Sequence, residues 1–288
     1  MVGEGRELGG VVVAYRQPEY VDQALQALAD GSRVPDEVVV VDVDPVEELD
    51  LGRAGGVPAR VVELDGNRGY AAACNAGAMA LDTPWLLFLN ADVAVSAPAV
   101  EAVLAEAKAD PSVGVATCRL VTPDRTMDHA CHRGIPSVWD SLSYKLRLDR
   151  LFPGSRRFGH YRLSWLDPEG SHDIEACCGA FALVRREALD AIGGWDEAYR
   201  FYAEDLDLCL RVRQAGWRVR YIGEHTALHH KGAARRAVVD DGWVRRSVLQ
   251  AHERFYREHQ ESTTGRAIRP LVELMFRVQR RRLGPRRG

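Results

Sequence analysis

Cysteine is scarce in this 288-residue chain, and none of it is spaced for a bridge or a metal. Six cysteines occur, at 74, 118, 131, 177, 178 and 209, with no Cys-x-x-Cys pair and two of them adjacent. That pattern argues against a zinc ribbon or a disulfide framework and for reduced thiols. No apolar run approaches the ~20 residues of a membrane-spanning helix, and the opening Met-Val-Gly-Glu-Gly-Arg-Glu lacks the apolar stretch of a signal peptide. The expectation is a cytoplasmic protein whose only membrane contact is peripheral. A charge excess is missing as well: 38 Lys and Arg against 41 Asp and Glu leave a net charge of -3. A protein that tracks phosphates usually carries a basic surplus, so no nucleic-acid partner is expected. No Gly-x-Gly-x-x-Gly follows the first apolar run, which argues against dinucleotide binding of the Rossmann kind.

What is present is an alternation of short apolar runs and amphipathic segments. Val11–Ala14 reads as a strand, residues 19–29 as a helix with Val21, Ala24, Leu25 and Leu28 on one face, and Val38–Val41 as a second strand closed by Asp42. The alternation continues with Ala59–Leu64, an alanine-rich helix over Tyr70–Ala80, and the strand Trp85–Leu89. Solidly apolar strands joined through helices predict a mostly parallel central sheet buried on both faces, an α/β fold. The strand ends then share one edge, where ligands bind. A helix over 98–108 and a strand over 113–118 follow. Residues 122–173, interrupted by Pro123, Pro136, Pro153 and Pro168, read as loops and short helices over that edge. Strand Ala180–Val184, helix Glu204–Ala215 and strand Trp217–Tyr221 restore regular structure.

Several polar constellations interrupt this pattern. The run Leu-Leu-Phe-Leu at 86–89 stops in Asn90-Ala91-Asp92, which sets two oxygen-bearing side chains at i and i+2 past a strand end. Such a pair can face one hard divalent cation and a diphosphate, or can simply form a turn. Asn67-Arg68-Gly69-Tyr70 joins a strand to the helix carrying Ala71, Ala72, Ala73 and Asn75. Small residues there admit a ribose or base, and Arg68 offers a donor fork to a diphosphate. Asp42 and Asp44 lie beyond the second strand, where one carboxylate can accept from a base or ribose. Gly193-Gly194-Trp195-Asp196-Glu197 precedes Glu204-Asp205-Leu206-Asp207, a helix start with three acids in four positions. That is more than a cap requires, and a carboxylate held there can take a proton from an attacking hydroxyl. His225, His229 and His230 follow the last strand, while His129, Cys131 and His132 form a group with no matching half and read as structural.

Taken in order, the Asp-ended strand, the Asn-x-Gly-aromatic loop, Leu-Asn-x-Asp, Gly-Gly-x-Asp-Glu, Glu-Asp-x-Asp-Leu and the histidines resemble the inverting family 2 glycosyltransferases of the GT-A fold, from about residue 10 to residue 235. The stretch from Gly179 to Val219 and the run His229-His230-Lys231 are most similar to the bacterial rhamnosyltransferase branch, which includes enzymes acting on polyprenyl-diphosphate-linked sugars. The resemblance implies a donor site made of Ala14, Tyr15, Asp42, Asp44, Asn67, Arg68, Gly69, Asn75, Asn90, Ala91 and Asp92. It implies Mg²⁺ or Mn²⁺ on Asp92 and His229, Asp205 as general base with Glu204 beside it, and acceptor contacts from Gly179, Trp195, Asp196 and Glu204. Its partners would be a dTDP-, UDP- or GDP-linked sugar and a glycan or polyprenyl-diphosphate-linked acceptor. Three positions depart from the family pattern: Asp42-Val43-Asp44-Pro45 replaces the usual Asp-Asn-Gly-Ser-x-Asp, Asn90 replaces the first acid of Asp-x-Asp, and Ala234 stands where a serine is common.

Two other readings compete. A sugar nucleotidyltransferase needs Gly-Gly-x-Gly-x-Arg after its first strand, where this chain has Tyr15-Arg16-Gln17-Pro18. An inactive scaffold subunit would be expected to lose Asp92, Asp205 or His229, and it keeps none of its freedom here because all three are present. The chain divides into a nucleotide-sugar half (1–95), an acceptor half (96–235) of the same domain, and a helical basic tail (236–288). After Gly265 that tail has eight arginines against the single acid Glu273. With Trp243, Val244, Val248, Leu249, Phe255, Leu271, Leu274, Met275 and Phe276 it predicts amphipathic helices for the inner membrane face, or for a homodimer contact.

Overall fold

The computed structural model describes residues 5–16, 18–44, 49, 51, 56–232, 241–259 and 265–283, so Pro45 and Ala234 lie outside the described residues. β1 (Leu8–Ala14), α1 (Pro18–Ala29), β2 (Glu37–Asp42), β3 (Ala59–Glu63), α2 (Tyr70–Met79) and β4 (Trp85–Asn90) build the first half. β5 (Val93–Val95), α3 (Ala99–Ala109) and β6 (Val113–Val121) follow. Short helices α4 (Val138–Lys145), α5 (Leu148–Leu151) and α6 (Arg156–Gly159) then lead to β7 (Ser171–Ile174), β8 (Phe181–Arg185) and α7 (Arg186–Ala191). Last come α8 (Glu204–Gln214), β9 (Arg218–His229), α9 (Asp241–His259) and α10 (Gly265–Leu283).

The nine strands of the described residues form one sheet, in the order β3-β2-β1-β4-β8-β6-β9-β5, with β7 added on β9. Its interior strands are apolar because helices cover both faces: Val11, Val12, Val38 to Val41 and Leu86 to Leu89 are almost fully buried. Each such side chain contributes about 1.5–3 kcal/mol relative to exposure. β3 lies at the edge, and its Arg60 and Glu63 are accordingly exposed. The parallel arrangement holds from β3 to β4; β8 then joins antiparallel to β4, and β6 antiparallel to β8. The sheet is therefore mixed beyond residue 90, because β8 returns from the long excursion over 122–173 in the opposite direction.

Register positions the ligand edge. Ala14 pairs with Asp42, and Val13 with Asn90, so β1, β2 and β4 end side by side. β9 pairs first with β7 and then, past an irregularity after Ile222, with β5, where His229 lies opposite Val93. The histidine is thus carried to the end of β4. The first tail helix is anchored on the domain: Val244, Leu249 and Phe255 of α9 are buried and Phe255 joins the main core, while Trp243, Leu274, Met275 and Val278 of the tail are exposed. α10 packs on α9 through Tyr256 and Phe276. Among the described residues no helix is long and apolar enough to cross a membrane.

Candidate active site

Asp92 follows β4 and is 7% exposed; His229 ends β9 and is equally buried. His229 Nε2 lies 3.4 Å from Asp92 Oδ1, and the His230 N–H donates to the Asp92 carbonyl at 2.8 Å. On its other side His229 Nδ1 lies 3.0 Å from Asp128 Oδ2, while Lys231 Nζ donates to Asp128 Oδ1 at 2.6 Å. Burial works against the His229 imidazolium, but Asp128 and Asp92 more than offset it and push the pKa up to about 9. Burial would likewise raise the Asp128 carboxyl, yet its hydrogen bonds from His229 and Lys231 hold it well below the usual range. These residues fit a divalent cation. An oxygen and an imidazole nitrogen 3.4 Å apart match adjacent ligand positions on one ion, about 3–3.5 Å. A carboxylate on the far ring nitrogen is the usual support for a ligating histidine.

A second cluster forms at the start of α8. Tyr202 and Ala203 adopt left-handed backbone conformations, φ 71° and 66°. Non-glycine residues bear strain there; the bend brings the helix start, with Glu204 and Asp205, against Arg133. Arg133 Nη2 lies 2.7 Å from Asp205 Oδ2, and its guanidinium also donates to the Cys177 carbonyl at 3.3 Å. Burial of Arg133 disfavours its charge, but Asp205 and Tyr161 hold the pKa above its ordinary value. Burial and the neighbouring Asp205 push Glu204 up to about 8, and Glu204 Oε2 is enclosed without a protein partner. The third acid, Asp207, does something else: it binds Arg211 at 2.6 Å and His259 at 2.7 Å, tying α8 to α9. Asp207, Glu258 and His259 are close enough to share an ion. Their carboxylates already carry Arg211, Arg254 and the Tyr199 hydroxyl, so the group reads as an ion-pair knot.

The short segment 128–133 touches both clusters, through Asp128 at one end and Arg133 at the other. Neither residue stood out in the sequence. Between them Cys131 and His132 face inward: Cys131 accepts from the Leu120 N–H, and His132 Nε2 meets His172 Nε2 at 2.7 Å beside Tyr221. Burial and His172 push His132 down to about 4. His172 is the missing half of that histidine group, on β7.

The remaining expected donor and acceptor residues separate into edge-facing and structural positions. Ala14, Tyr15, Asp42 and Asn90 lie at the strand ends. Burial, with Glu63 and Asp44 adding like charge, pushes the Asp42 carboxyl up, although the Asp44 N–H bond opposes this. Asp44 itself pairs with Arg16 at 2.5 Å. Asn67 accepts from the Gly69 N–H, and Arg68 reaches Glu197 at 2.6 Å. Gly69 has φ 98°, and a Cβ there would meet the Arg200 carbonyl at 2.4 Å, so the loop requires glycine. Gly179 is packed under Tyr70, whose hydroxyl donates to its carbonyl at 2.6 Å. Three expectations change. Asn75 commits both ends of its amide to the Trp195 backbone, at 2.9 Å each, and so locks the Gly193–Glu197 turn rather than facing a donor. Trp195 is 2% exposed and packs edge-on against Phe88 and Tyr70, which makes it core rather than an acceptor platform. Asp196 caps the turn at Ala198 N and faces Arg254 at 3.6 Å.

The chain matches the family described as Glycosyl transferase family 2 over residues 11–193, and that described as Glycosyl transferase family 21 over residues 170–248. An N-acetylglucosaminyl-diphospho-decaprenol L-rhamnosyltransferase of Mycobacterium tuberculosis is 28% identical over 233 residues, covering 77% of this chain and 75% of that protein. The O-antigen biosynthesis protein RfbC of Myxococcus xanthus is 31% identical over 186 residues, 63% of this chain and 14% of that one. The crystal structure of GalNAc-T7 with UDP, GalNAc and Mn2+ superposes with a TM-score of 0.61 at 12% identity, over 88% of this chain and 48% of its own, a likeness of fold. The chain thus spans about half the length of that enzyme.

Proposed function

The chain belongs to glycosyl transferase family 2, with the GT-A fold, and from that premise we propose an inverting, metal-dependent glycosyltransferase that moves rhamnose from a nucleoside diphosphate to a polyprenyl-diphosphate-linked glycan. The product would belong to cell-envelope polysaccharide synthesis at the cytoplasmic face of the membrane. The carrying observation is the pair of clusters bridged by residues 128–133: Asp92, His229 and Asp128 on one side, Asp205, Glu204 and Arg133 on the other.

Asp92 and His229 would hold Mg²⁺ or Mn²⁺, which supplies charge neutralisation to the departing diphosphate. Asp128 fixes the His229 ring so that Nε2 faces Asp92. Asp205 accepts the proton of the acceptor hydroxyl as the oxygen attacks the anomeric carbon from the face opposite the leaving group, which inverts the centre. Arg133 orients the Asp205 carboxylate, and Glu204, neutral at ordinary pH, adds a hydrogen-bond donor beside it. Asp42 and the Asn67–Gly69 loop border the space for base and ribose. The test is turnover of dTDP-, UDP- and GDP-linked sugars with Mn²⁺ or Mg²⁺ and with EDTA, followed by anomer analysis of the product. Tight donor binding without turnover under any of these conditions would replace the enzyme with a scaffold.

A further inference from the structure

Six of the large apolar side chains left exposed by this fold crowd into residues 139–152: Trp139 (39% exposed), Leu142 (46%), Tyr144 (42%), Leu146 (57%), Leu151 (69%) and Phe152 (51%). Scattered exposed apolar residues are ordinary, but a continuous patch marks an interaction surface. The amphipathic pattern is inverted here. In α4, Asp140 and Ser143 are buried, while Trp139, Leu142 and the following Leu146, at i, i+3 and i+7, share the outward side. The inward polar groups are fully engaged. Asp140 accepts from the Ser137 N–H at 2.8 Å and meets His160 Nδ1 at 3.2 Å, and the Ser143 hydroxyl donates to the Phe158 carbonyl at 2.7 Å. Polar atoms are thus placed inside and hydrocarbon outside, the reverse of what water alone favours.

Charge is sorted the same way. Residues 138–162 contain six basic side chains and two acids, Asp140 and Asp149. Both acids are buried, Asp149 beside Arg162 at 3.5 Å, whereas Lys145, Arg147, Arg150, Arg156 and Arg157 are exposed. The outward surface of this segment therefore presents apolar and cationic groups without a carboxylate. An anionic bilayer complements both: acyl chains for Trp139 and the leucines, headgroup phosphates for the arginines. The patch also follows directly on the residue that holds the candidate base: Arg133, paired with Asp205, leads by a short link into α4.

We infer that α4 and α5 form a membrane-docking surface that seats the chain on an anionic bilayer with the Asp205 cluster turned toward a lipid-linked acceptor. The acceptor part rests on the proposed function; the docking surface does not. It also differs from a contact through the tail, where Val244, Leu249 and Phe255 of α9 are buried, Trp243, Leu274 and Met275 are exposed, and Arg257 and Arg280 pair with Glu253.

The test is co-sedimentation of the full chain with phosphatidylcholine vesicles, with and without phosphatidylglycerol. The triple variant Leu142→Ser, Leu146→Ser, Leu151→Ser is expected to bind phosphatidylglycerol vesicles at least about tenfold more weakly. Arg147→Gln with Arg150→Gln should lose roughly fivefold per charge on those vesicles and little on neutral ones. Leu274→Ser with Met275→Ser, on the tail, should bind like the parent. Circular dichroism melts show whether each variant is folded. No binding by the parent, or undiminished binding by the folded triple variant, overturns the inference. A dimer in light scattering that the triple variant dissolves overturns it too and assigns the patch to a second copy. Vesicle binding that follows the expected order in a chain without transferase activity leaves the docking surface standing and removes the proposed function.

Discussion

Arg133 Nη2 stands 2.7 Å from Asp205 Oδ2. The guanidinium has given up nearly all of its water to make this contact, and its Nε has no hydrogen-bond partner. A buried charge of this kind is retained at a cost unless its partner compensates it. The pairing fixes the direction in which the carboxylate presents its other oxygen, which accepts from Leu206 N at 2.7 Å. Asp205→Asn should lower kcat by about 10²–10⁴ with little change in the KM for the nucleotide sugar. Arg133→Gln should lower kcat as well, and Arg133→Lys should restore part of it by returning the charge without the fork. Steady-state kinetics on the three variants check this, and full activity in Asp205→Asn would remove the base assignment.

Asp128 bears on the other cluster through the far nitrogen of His229. Asp128→Asn keeps the shape and removes the charge that orients the ring. Metal-supported activity should then require about 10–100-fold more Mn²⁺, while kcat at saturating metal changes less. A metal titration of parent and variant reads this directly, and an unchanged titration would separate Asp128 from the metal site.

The strand-end residues were legible in the sequence because their signals are local. Asn90-Ala91-Asp92 interrupts an apolar run, and the acids of 204–207 crowd one helix start. Asp128 and Arg133 carry no local signal: their partners lie on β9 and α8, and only the closing of the sheet brings them together. The hexapeptide they bound drew notice for His129, Cys131 and His132, of which Cys131 and His132 pack inward. Trp195 is a related case. A tryptophan in a glycine-rich turn suits an exposed platform or a core plug equally well, and the Asn75 lock that turns it inward is made by a residue on α2. The tail was read correctly as helical from its periodicity, but periodicity does not say whether an apolar face meets lipid or the protein's own core.

Glu204 gives a pH-dependent prediction. Its carboxyl titrates near 4.5 when solvated and is pushed up to about 8 in the folded chain by burial and by Asp205. A raised folded-state pKa means its contribution is intact below about pH 4.5 and is lost as the pH rises through about 8. Glu204→Gln removes the titration and keeps the shape. The variant should match the parent near pH 4 and be more stable than it by about 4–5 kcal/mol near pH 9. Urea unfolding at the two pH values measures the difference, and a gap that does not change with pH would mean that Glu204 is solvated in the native state.

His160 should show a destabilised variant over a different pH window. It bridges Asp140 of α4, at 3.2 Å, and Glu175 beyond β7, at 3.3 Å, so it clamps the exposed apolar helix to the sheet. Hydrogen bonds from its imidazolium to Asp140 and Glu175 push its pKa up to about 10, against an unfolded value of 6.5. The stabilisation is therefore complete below about pH 6.5 and is lost as the pH rises through about 10. Asp140 and Glu175 shift the other way: both sit below their ordinary values despite burial, so their share is lost on acidification. The clamp is strongest between those limits, from about pH 5 to about pH 6.5. His160→Gln should cost about 2 kcal/mol there and progressively less toward pH 10. Thermal melts of parent and variant across that range test it. A constant difference would show that the histidine holds α4 by shape alone, and vesicle binding would then be insensitive to pH through this residue.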